Sequence, residues 1–181
     1  MSLLFHDKFL RLLHSAAISF KTSHCEKAIL FCCMVPFIVL IALFVLLSTL
    51  GHFHIFVPDD WWTSLRLALS GMFLLTASAH WGQRRPDLIR MVPPVLPRPD
   101  LLVTGTGMIE IIGVIGLIIP SLAHYAALGL SLLLIALFPA NVHAARQRLT
   151  IAGRQVPALL PRTFLQIAFL IATVAVFLGG R

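Results

Sequence analysis

The sequence predicts an all-α membrane protein that crosses the bilayer several times. Of its 181 residues, 59% are hydrophobic and only 12% are charged. The mean hydropathy of +0.94 is higher than a soluble domain needs. Several apolar runs are also long enough to cross the hydrocarbon core as helices, which takes about 18 or more residues. Because a spanning helix satisfies its own backbone hydrogen bonds, we expect a helical fold with five spans.

The chain is predicted to begin with an amphipathic leader, residues 1–27, which lies on the cytoplasmic surface of the membrane. Its apolar side chains recur at helical spacing, as expected of a helix in the head-group region. These side chains are Phe5, Phe9, Leu12, Leu13, Ala16 and Phe20. The first span follows at residues 28–50. It is longer and begins later than the apolar core of a signal peptide, so we expect a retained transmembrane helix.

A short segment, residues 51–61, joins the first span to the second. Its four candidate metal ligands are His52, His54, Asp59 and Asp60. One short loop supplies all of them, without a second ligand-rich segment beside it, so we expect no metal site. Tryptophan favours the boundary between membrane and water. The Trp61–Trp62 pair therefore marks the start of the second span.

The second span, residues 63–81, carries its polar residues on one side of the predicted helix. Together with two apolar residues, they recur at steps of three and four and therefore form one stripe along the helix. The stripe is Arg66, Ser70, Phe73, Ala77 and His80. Lipid cannot solvate an arginine or a histidine, so the stripe should face other helices. The connector at residues 82–100 contains a proline-rich piece, MVPPVLPRP, which is predicted to be extended because its prolines cannot sustain a helix.

The third span, residues 101–119, has a carboxylate, Glu110, near its middle. A charge at this depth costs about 3 kcal/mol, so Glu110 should face the protein interior. Small residues share its side of the helix and would let a neighbouring helix approach closely. They are Gly105, Thr106, Gly113 and Gly116. Two interpretations stay open: Glu110 fixes helix packing, or it takes part in chemistry or transport.

Arg66 is the predicted partner of Glu110. Arg66 begins about one turn below one surface, and its long side chain points toward mid-depth. A buried ion pair would favour the ionised carboxylate. Ser70 and Thr106 are the expected supporting hydrogen-bonding residues, because Thr106 lies one turn before Glu110.

The fourth and fifth spans, residues 122–139 and 163–179, complete the predicted bundle. Pro139 should kink the fourth span and free a backbone carbonyl for Asn141 or His143. Four polar residues end near the same surface: His80, Asn141, His143 and Gln166. This group could hold a quinone head group or relay a proton. The alternative, which we favour, is that these are interfacial residues satisfied by water.

Lysine and arginine positions predict the orientation. Residues 1–27, 82–100 and 140–162 hold twelve of the fourteen basic residues. Basic residues concentrate in cytoplasmic loops. The pattern alternates through all five spans, so the N-terminus should be cytoplasmic and the C-terminus outside. Topology thus accounts for the net charge of +7, and we expect no nucleic-acid partner.

Several features of residues 62–179 occur together: Arg66 and His80 on one span, and three stretches, MVPPVLPRP, TGTGMIEIIGVIGLIIP and FPANVHAA. In this combination, residues 62–179 resemble the DoxX-like family of small bacterial membrane proteins. The resemblance implies a left-handed antiparallel four-helix bundle in the bacterial cytoplasmic membrane. Arg66 and Glu110 would match the family's intramembrane polar positions. The N-terminal span and the leader lie outside the resemblance.

The resemblance also implies a function. Relatives are linked to quinone-coupled sulfur oxidation and to oxidative-stress complexes. We therefore expect an accessory subunit of a membrane redox system, with quinone as the candidate cofactor and another membrane protein or a second copy as partner. The alternatives are an assembly factor or scaffold and, less favoured, a small proton-coupled transporter. The sequence does not decide whether the protein is an enzyme.

Overall fold

A computed structural model describes residues 34–55, 60–147, 150–151, 154–155 and 159–179. The predicted leader and Asp59 lie outside these residues. The prediction of a helical fold is confirmed. The helices are α1 (Met34–His52), α2 (Trp61–Ser78), α3 (Arg85–Met91), α4 (Pro99–Ile118), α5 (Ala123–Arg146) and α6 (Leu159–Gly179). Between α5 and α6, β1 (Thr150–Ile151) pairs antiparallel with β2 (Arg154–Gln155).

Within the described residues, four helices are long and apolar enough to cross a membrane: α1, α4, α5 and α6. This supports a helical membrane protein. The predicted second span is also helical, as α2, but it does not belong to this set. Its sequence, WWTSLRLALSGMFLLTAS, includes an arginine and several hydroxyl residues. Much of α2 is instead buried against other helices, including Leu69 and Met72.

Helices α2, α4, α5 and α6 pack in a ring, in that order, and α6 returns to α2. Neighbours in the ring run antiparallel. For example, Gly113 of α4 lies against Leu130 of α5, and Gly116, one turn later, lies against the earlier Ala126. Fully buried residues from all four helices meet in one core, among them Leu69, Met72, Leu117, Leu130 and Val176. The ring is therefore a four-helix bundle with an apolar centre.

Helix α1 lies outside the ring. The phenyl group of Phe44 on α1 packs edge-on against the indole of Trp61 on α2, and the centroids of the two aromatic groups are 4.9 Å apart. Phe37 contacts Phe169 of α6 at a centroid distance of 6.3 Å. Thus α1 adds a fifth long helix against the α2 and α6 side of the bundle.

The two ends of the ring differ in charge. The basic end holds the C-termini of α2 and α5, the N-termini of α4 and α6, and the short helix α3. Its described arginines are Arg84, Arg85, Arg90, Arg98, Arg146 and Arg162. The opposite end, called the turn end, holds the α4–α5 turn at Pro120 and the Trp61–Trp62 pair.

The connector between α2 and α4 begins with a helix that was not predicted and continues with the proline-rich piece. Residues 85–91 form α3, with Pro86 in the first turn, where its missing N–H breaks no helical hydrogen bond. The later prolines do stay outside a helix until Pro99 begins α4. Arg98, just before it, adopts a left-handed φ of 53°. The end of α2 and the start of α4 are thereby brought side by side.

Candidate functional site

Glu110 lies in the seam between α2 and α4 and is 4% exposed. Its Oε2 accepts a hydrogen bond of 2.9 Å from the hydroxyl of Thr76 on α2. On α4, Gly107 and Gly113 are buried on the same side one turn away in each direction. The prediction that small residues surround Glu110 thus holds for Gly113 and Gly116. Gly105, in contrast, is exposed, with open space where a side chain would project.

The structure does not form the predicted ion pair between Arg66 and Glu110. Antiparallel packing places Glu110 opposite Thr76, and Arg66 lies ten residues earlier on α2. That separation is about 15 Å along a helix, beyond the reach of an arginine side chain. The buried Nε of Arg66 has no hydrogen-bond partner within the described residues.

The two predicted supporting residues bond to their own helices. Ser70 donates to the backbone oxygen of Arg66 at 2.9 Å, and Thr106 donates to that of Val103 at 3.1 Å. Both hydroxyls are therefore satisfied one turn back and do not bond to Glu110. Sequence reasoning missed Thr76, the residue that does. Its position was a signal, since Thr76 lies three residues after Phe73 and four before His80, within reach of the predicted stripe.

His80 continues the same seam toward the basic end. It is 8% exposed, and its Nδ1 lies 3.3 Å from the backbone oxygen of Thr76. Because a carbonyl can only accept, Nδ1 carries the hydrogen in this contact. The His80 side chain packs on Gly107, where an added Cβ would lie 2.7 Å from the His80 Cβ. A glycine at position 107 thus makes room for the imidazole.

Arg85 closes the basic end of this seam. One guanidinium nitrogen donates to the backbone oxygen of His80 at 2.9 Å, and the other donates to the Thr104 hydroxyl at 2.8 Å. The second nitrogen also donates to the backbone oxygen of Asp100 at 3.3 Å. The α2/α4 seam is thus lined with polar groups from Glu110 at mid-helix to Arg85 at the end.

The α5/α6 seam lies across the ring and holds uncharged pairs. The Ser131 hydroxyl donates to the Thr173 hydroxyl at 2.9 Å, and both residues are buried. Toward the turn end, Nδ1 of His124 lies 2.6 Å from the backbone oxygen of Phe177, and the two rings stack with centroids 4.2 Å apart. These contacts tie α5 to α6 without a formal charge inside the bundle.

Near the basic end, the α5/α6 seam contains a chain of hydrogen bonds. Arg162 donates to the amide oxygen of Asn141, and the Asn141 amide nitrogen donates to the Gln166 amide oxygen at 2.7 Å. The Gln166 amide nitrogen donates in turn to the backbone oxygen of Leu134 at 2.5 Å. We call Arg162, Asn141 and Gln166 the amide chain.

The structure divides the predicted inner-end cluster. Asn141 and Gln166 do meet, but His80 belongs to the α2/α4 seam on the opposite side of the ring. The side chain of His143 makes no hydrogen bond to any described residue. Sequence reasoning missed Arg162, which lies one helical turn before Gln166 on α6. That spacing was the available signal.

Pro139 lies inside α5, as predicted. A proline removes the hydrogen bond to the carbonyl four residues earlier and loosens the turn before it. The freed carbonyl is that of Ile135, and the expected bond to it from Asn141 or His143 is not found among the described residues, since the Asn141 amide nitrogen donates to Gln166. Gln166 of α6 donates to the adjacent carbonyl, that of Leu134.

Asp60 begins α2 as its N-cap. Its carboxylate accepts hydrogen bonds from the Thr63 hydroxyl at 2.7 Å and the Thr63 backbone nitrogen at 2.8 Å. These bonds, led by the hydroxyl, hold the pKa of Asp60 below its usual value, and the charge of Arg66 adds to this effect. Among the described residues, no three His, Cys, Asp or Glu side chains form a group that could hold a metal ion.

Comparison with known proteins gives one family. The family model described as a domain of unknown function, DUF8561, matches residues 69–177. The chain belongs to this family. No curated protein and no solved structure matches the chain. The DUF8561 region includes most of α2 and almost all of α6, so it contains nearly the whole four-helix ring.

Both seams belong to the DUF8561 region. Thr76, His80 and Glu110 of the α2/α4 seam lie inside it, as does the amide chain. Arg66 and helix α1 precede it. Chemically, the α2/α4 seam offers a carboxyl and an imidazole that can exchange protons. The amide chain offers N–H donors in a fixed arrangement.

Proposed function

We propose that this protein is a DoxX-like accessory subunit of a quinone-linked redox system in the bacterial cytoplasmic membrane. The DoxX-like resemblance, residues 62–179, and the DUF8561 match, residues 69–177, cover almost the same stretch. That stretch contains the antiparallel ring of α2, α4, α5 and α6. The agreement in extent supports a single functional unit, to which α1 is added.

The observation that carries the proposal is the amide chain near the basic end. A quinone head group presents two carbonyl acceptors, so its site needs fixed N–H donors close to apolar surface. Asn141 and Gln166 each use one amide hydrogen within the chain, and each keeps a second. Arg162 fixes the orientation of Asn141 from α6. Pre-arranged donors of this kind suit a carbonyl head group.

The distribution of arginine supports the orientation. The described arginines other than Arg66 gather at the basic end, whereas the turn end carries two of the three tryptophans, Trp61 and Trp62. Arginine-rich loops favour the cytoplasmic side. In the proposal, the amide chain therefore lies near the cytoplasmic face of the membrane, with the C-terminus outside.

The test is the quinone content of the full chain purified in mild detergent from bacterial membranes. We expect quinone to co-purify with the protein. The double change Asn141→Leu and Gln166→Leu removes two N–H donors, each worth about 1 kcal/mol, so retention should fall by about tenfold or more. Gln147→Leu is the matched control, because Gln147 is an exposed amide beyond the end of α5.

Two outcomes would reject the redox assignment. One is wild-type protein that carries no more quinone than the surrounding lipid. The other is equal quinone in the wild type and the double variant. Stoichiometric co-purification of one membrane protein without quinone would point instead to the assembly-factor alternative.

A further inference from the structure

The α2/α4 seam joins a carboxyl in the middle of the bundle to the arginine-rich surface. Glu110 accepts from Thr76, His80 contacts the backbone of Thr76, and Arg85 contacts the backbone of His80. Thr76 lies in the last turn of α2, His80 lies just past the C-terminus of α2, and Arg85 begins α3. These polar groups therefore lead from the middle of the bundle past the end of α2 to the basic end.

His80 lies about one helical turn from Glu110. Its side chain packs on Gly107, three residues before Glu110 on α4, a rise of about 4.5 Å. Both side chains are buried, His80 at 8% and Glu110 at 4% exposure. Since Nδ1 donates to Thr76, Nε2 is the ring nitrogen that can gain and lose a proton. Polar groups more than about 3.5 Å apart are commonly bridged by an ordered water.

We propose that Glu110 and His80 form a proton relay, in which Glu110 binds the proton at mid-depth and His80 carries it to and from the basic end. In the inward step, the imidazolium releases its proton from Nε2 and a carboxylate oxygen of Glu110 takes it up. The products are a neutral imidazole and a neutral carboxylic acid, and no electrons move. This inference is independent of the redox assignment.

The surroundings give the relay a direction. Within the described residues, the other charged groups along the seam are Arg85 and Asp100, both at the basic end. Arg85 is held at the surface by Thr104 and two backbone oxygens. On the other side of Glu110, α5 presents Leu130 to Gly113, which closes the seam with apolar side chains. Protons therefore enter from the basic end.

The test follows the C=O stretch of the protonated carboxyl by time-resolved infrared spectroscopy, with the full chain in phospholipid vesicles after a pH drop. Wild-type protein should gain this band, and Glu110→Gln should lack it. His80→Gln should reach the same final amplitude, but its rate should fall on the order of a hundredfold. A merely structural histidine would leave the rate unchanged in a folded variant.

Two controls keep the test decisive. Gly105→Ala alters an exposed position on the same helix and should leave band and rate unchanged. In His80→Ala, external imidazole should restore the rate, which also covers the case in which His80→Gln does not fold. A wild-type band that persists in Glu110→Gln overturns the proton site. An unchanged rate in folded His80→Gln, or no imidazole rescue in His80→Ala, overturns the relay.

Discussion

The two polar seams of the ring contain similar hydrogen bonds that have different consequences. In the α5/α6 seam, Ser131 bonds to Thr173, and both partners are uncharged hydroxyls. In the α2/α4 seam, a hydroxyl of Thr76 bonds to a carboxyl of Glu110 at the same distance of 2.9 Å. Both pairs lie inside the bundle and link antiparallel neighbours. They differ only in whether one partner can change its charge.

That difference decides whether a hydrogen bond can only hold two helices together or can also act as a switch that responds to protons. A hydroxyl pair has the same donors and acceptors at every ordinary pH, so it can only fix one helix against the other. Hydrogen bonds to an ionised group are roughly twice as strong as neutral ones. The Thr76–Glu110 bond therefore changes strength when Glu110 gains or loses its proton. Of these two hydrogen bonds, the one in the α2/α4 seam is the one that responds to protons.

The largest expected effect comes from filling the α2/α4 seam with Gly107→Ala. The new Cβ would lie 2.7 Å from the Cβ of His80 and 2.8 Å from the ring of Trp81. Overpacking of this kind costs about 1–3 kcal/mol. We expect a lower melting temperature by circular dichroism in detergent, together with a changed tryptophan emission, because Trp81 must move.

Gly105→Ala is the matched control on the same helix. No atom lies within 4 Å of its added Cβ. Alanine is the better helix former, so stability should stay equal or rise by up to about 1 kcal/mol. A loss of stability in Gly105→Ala as large as in Gly107→Ala would show that α4 tolerates no side chain there, and that the seam is not specially close-packed.

The next effect compares the two hydroxyl bonds by double-mutant cycles. For Thr76→Val with Glu110→Gln, the coupling free energy should rise with pH as Glu110 ionises. For Ser131→Ala with Thr173→Val, it should stay near the membrane-protein average of about 0.6 kcal/mol. The measurement is reversible unfolding in mixed micelles at several pH values.

The neutral cycle also controls for detergent effects, since both cycles link neighbouring helices of one ring. If the coupling free energy were independent of pH in both cycles, the two hydrogen bonds would not differ in their response to protons. A coupling energy that rises with pH in the Ser131–Thr173 cycle would show that detergent or global unfolding, and not Glu110, causes the change.

Much of the four-helix ring could be predicted, because the length of an apolar run and the position of a polar side chain within it are properties of the local sequence. Glu110 was expected to be buried, and it is, since exposure of a carboxyl to lipid is costly. Its partner could not be predicted with the same ease. The partner depends on the register between α2 and α4, and that register is set by the connector and by the fit of His80 onto Gly107.

The same reason explains the error about the polar cluster. His80, Asn141, His143 and Gln166 all end near one surface, so depth alone placed them together. The order of helices around the ring puts His80 on one seam and Gln166 on the opposite one. The order of the helices cannot be derived from the depth or the periodicity of the residues, because that order arises from contacts between distant parts of the chain. Likewise, the start of α3 is tied to α4 by a contact between distant residues, since Arg85 donates to Thr104.

The last prediction concerns Asp60, an acid outside the seams. Its N-cap bonds lower its pKa in the folded state. The stabilisation is therefore complete above the unfolded value of about 3.9 and is lost as the pH falls through the lower folded value. Asp60→Ala should cost about 1 kcal/mol near neutral pH. Thermal unfolding between neutral and acidic pH measures this loss.

Asp60→Asn sharpens the contrast with Glu110. Asparagine caps helices about as well as aspartate, so stability near neutral pH should stay close to that of the wild type. Its amide does not titrate, so the loss of stability below about pH 4 should shrink. Glu110→Gln, in contrast, should abolish the pH dependence of the stability cost of Thr76→Val. If Asp60→Asn instead removed that dependence, the half-buried acid at the turn end would be the proton-sensitive group, and Glu110 would serve only to hold α2 against α4.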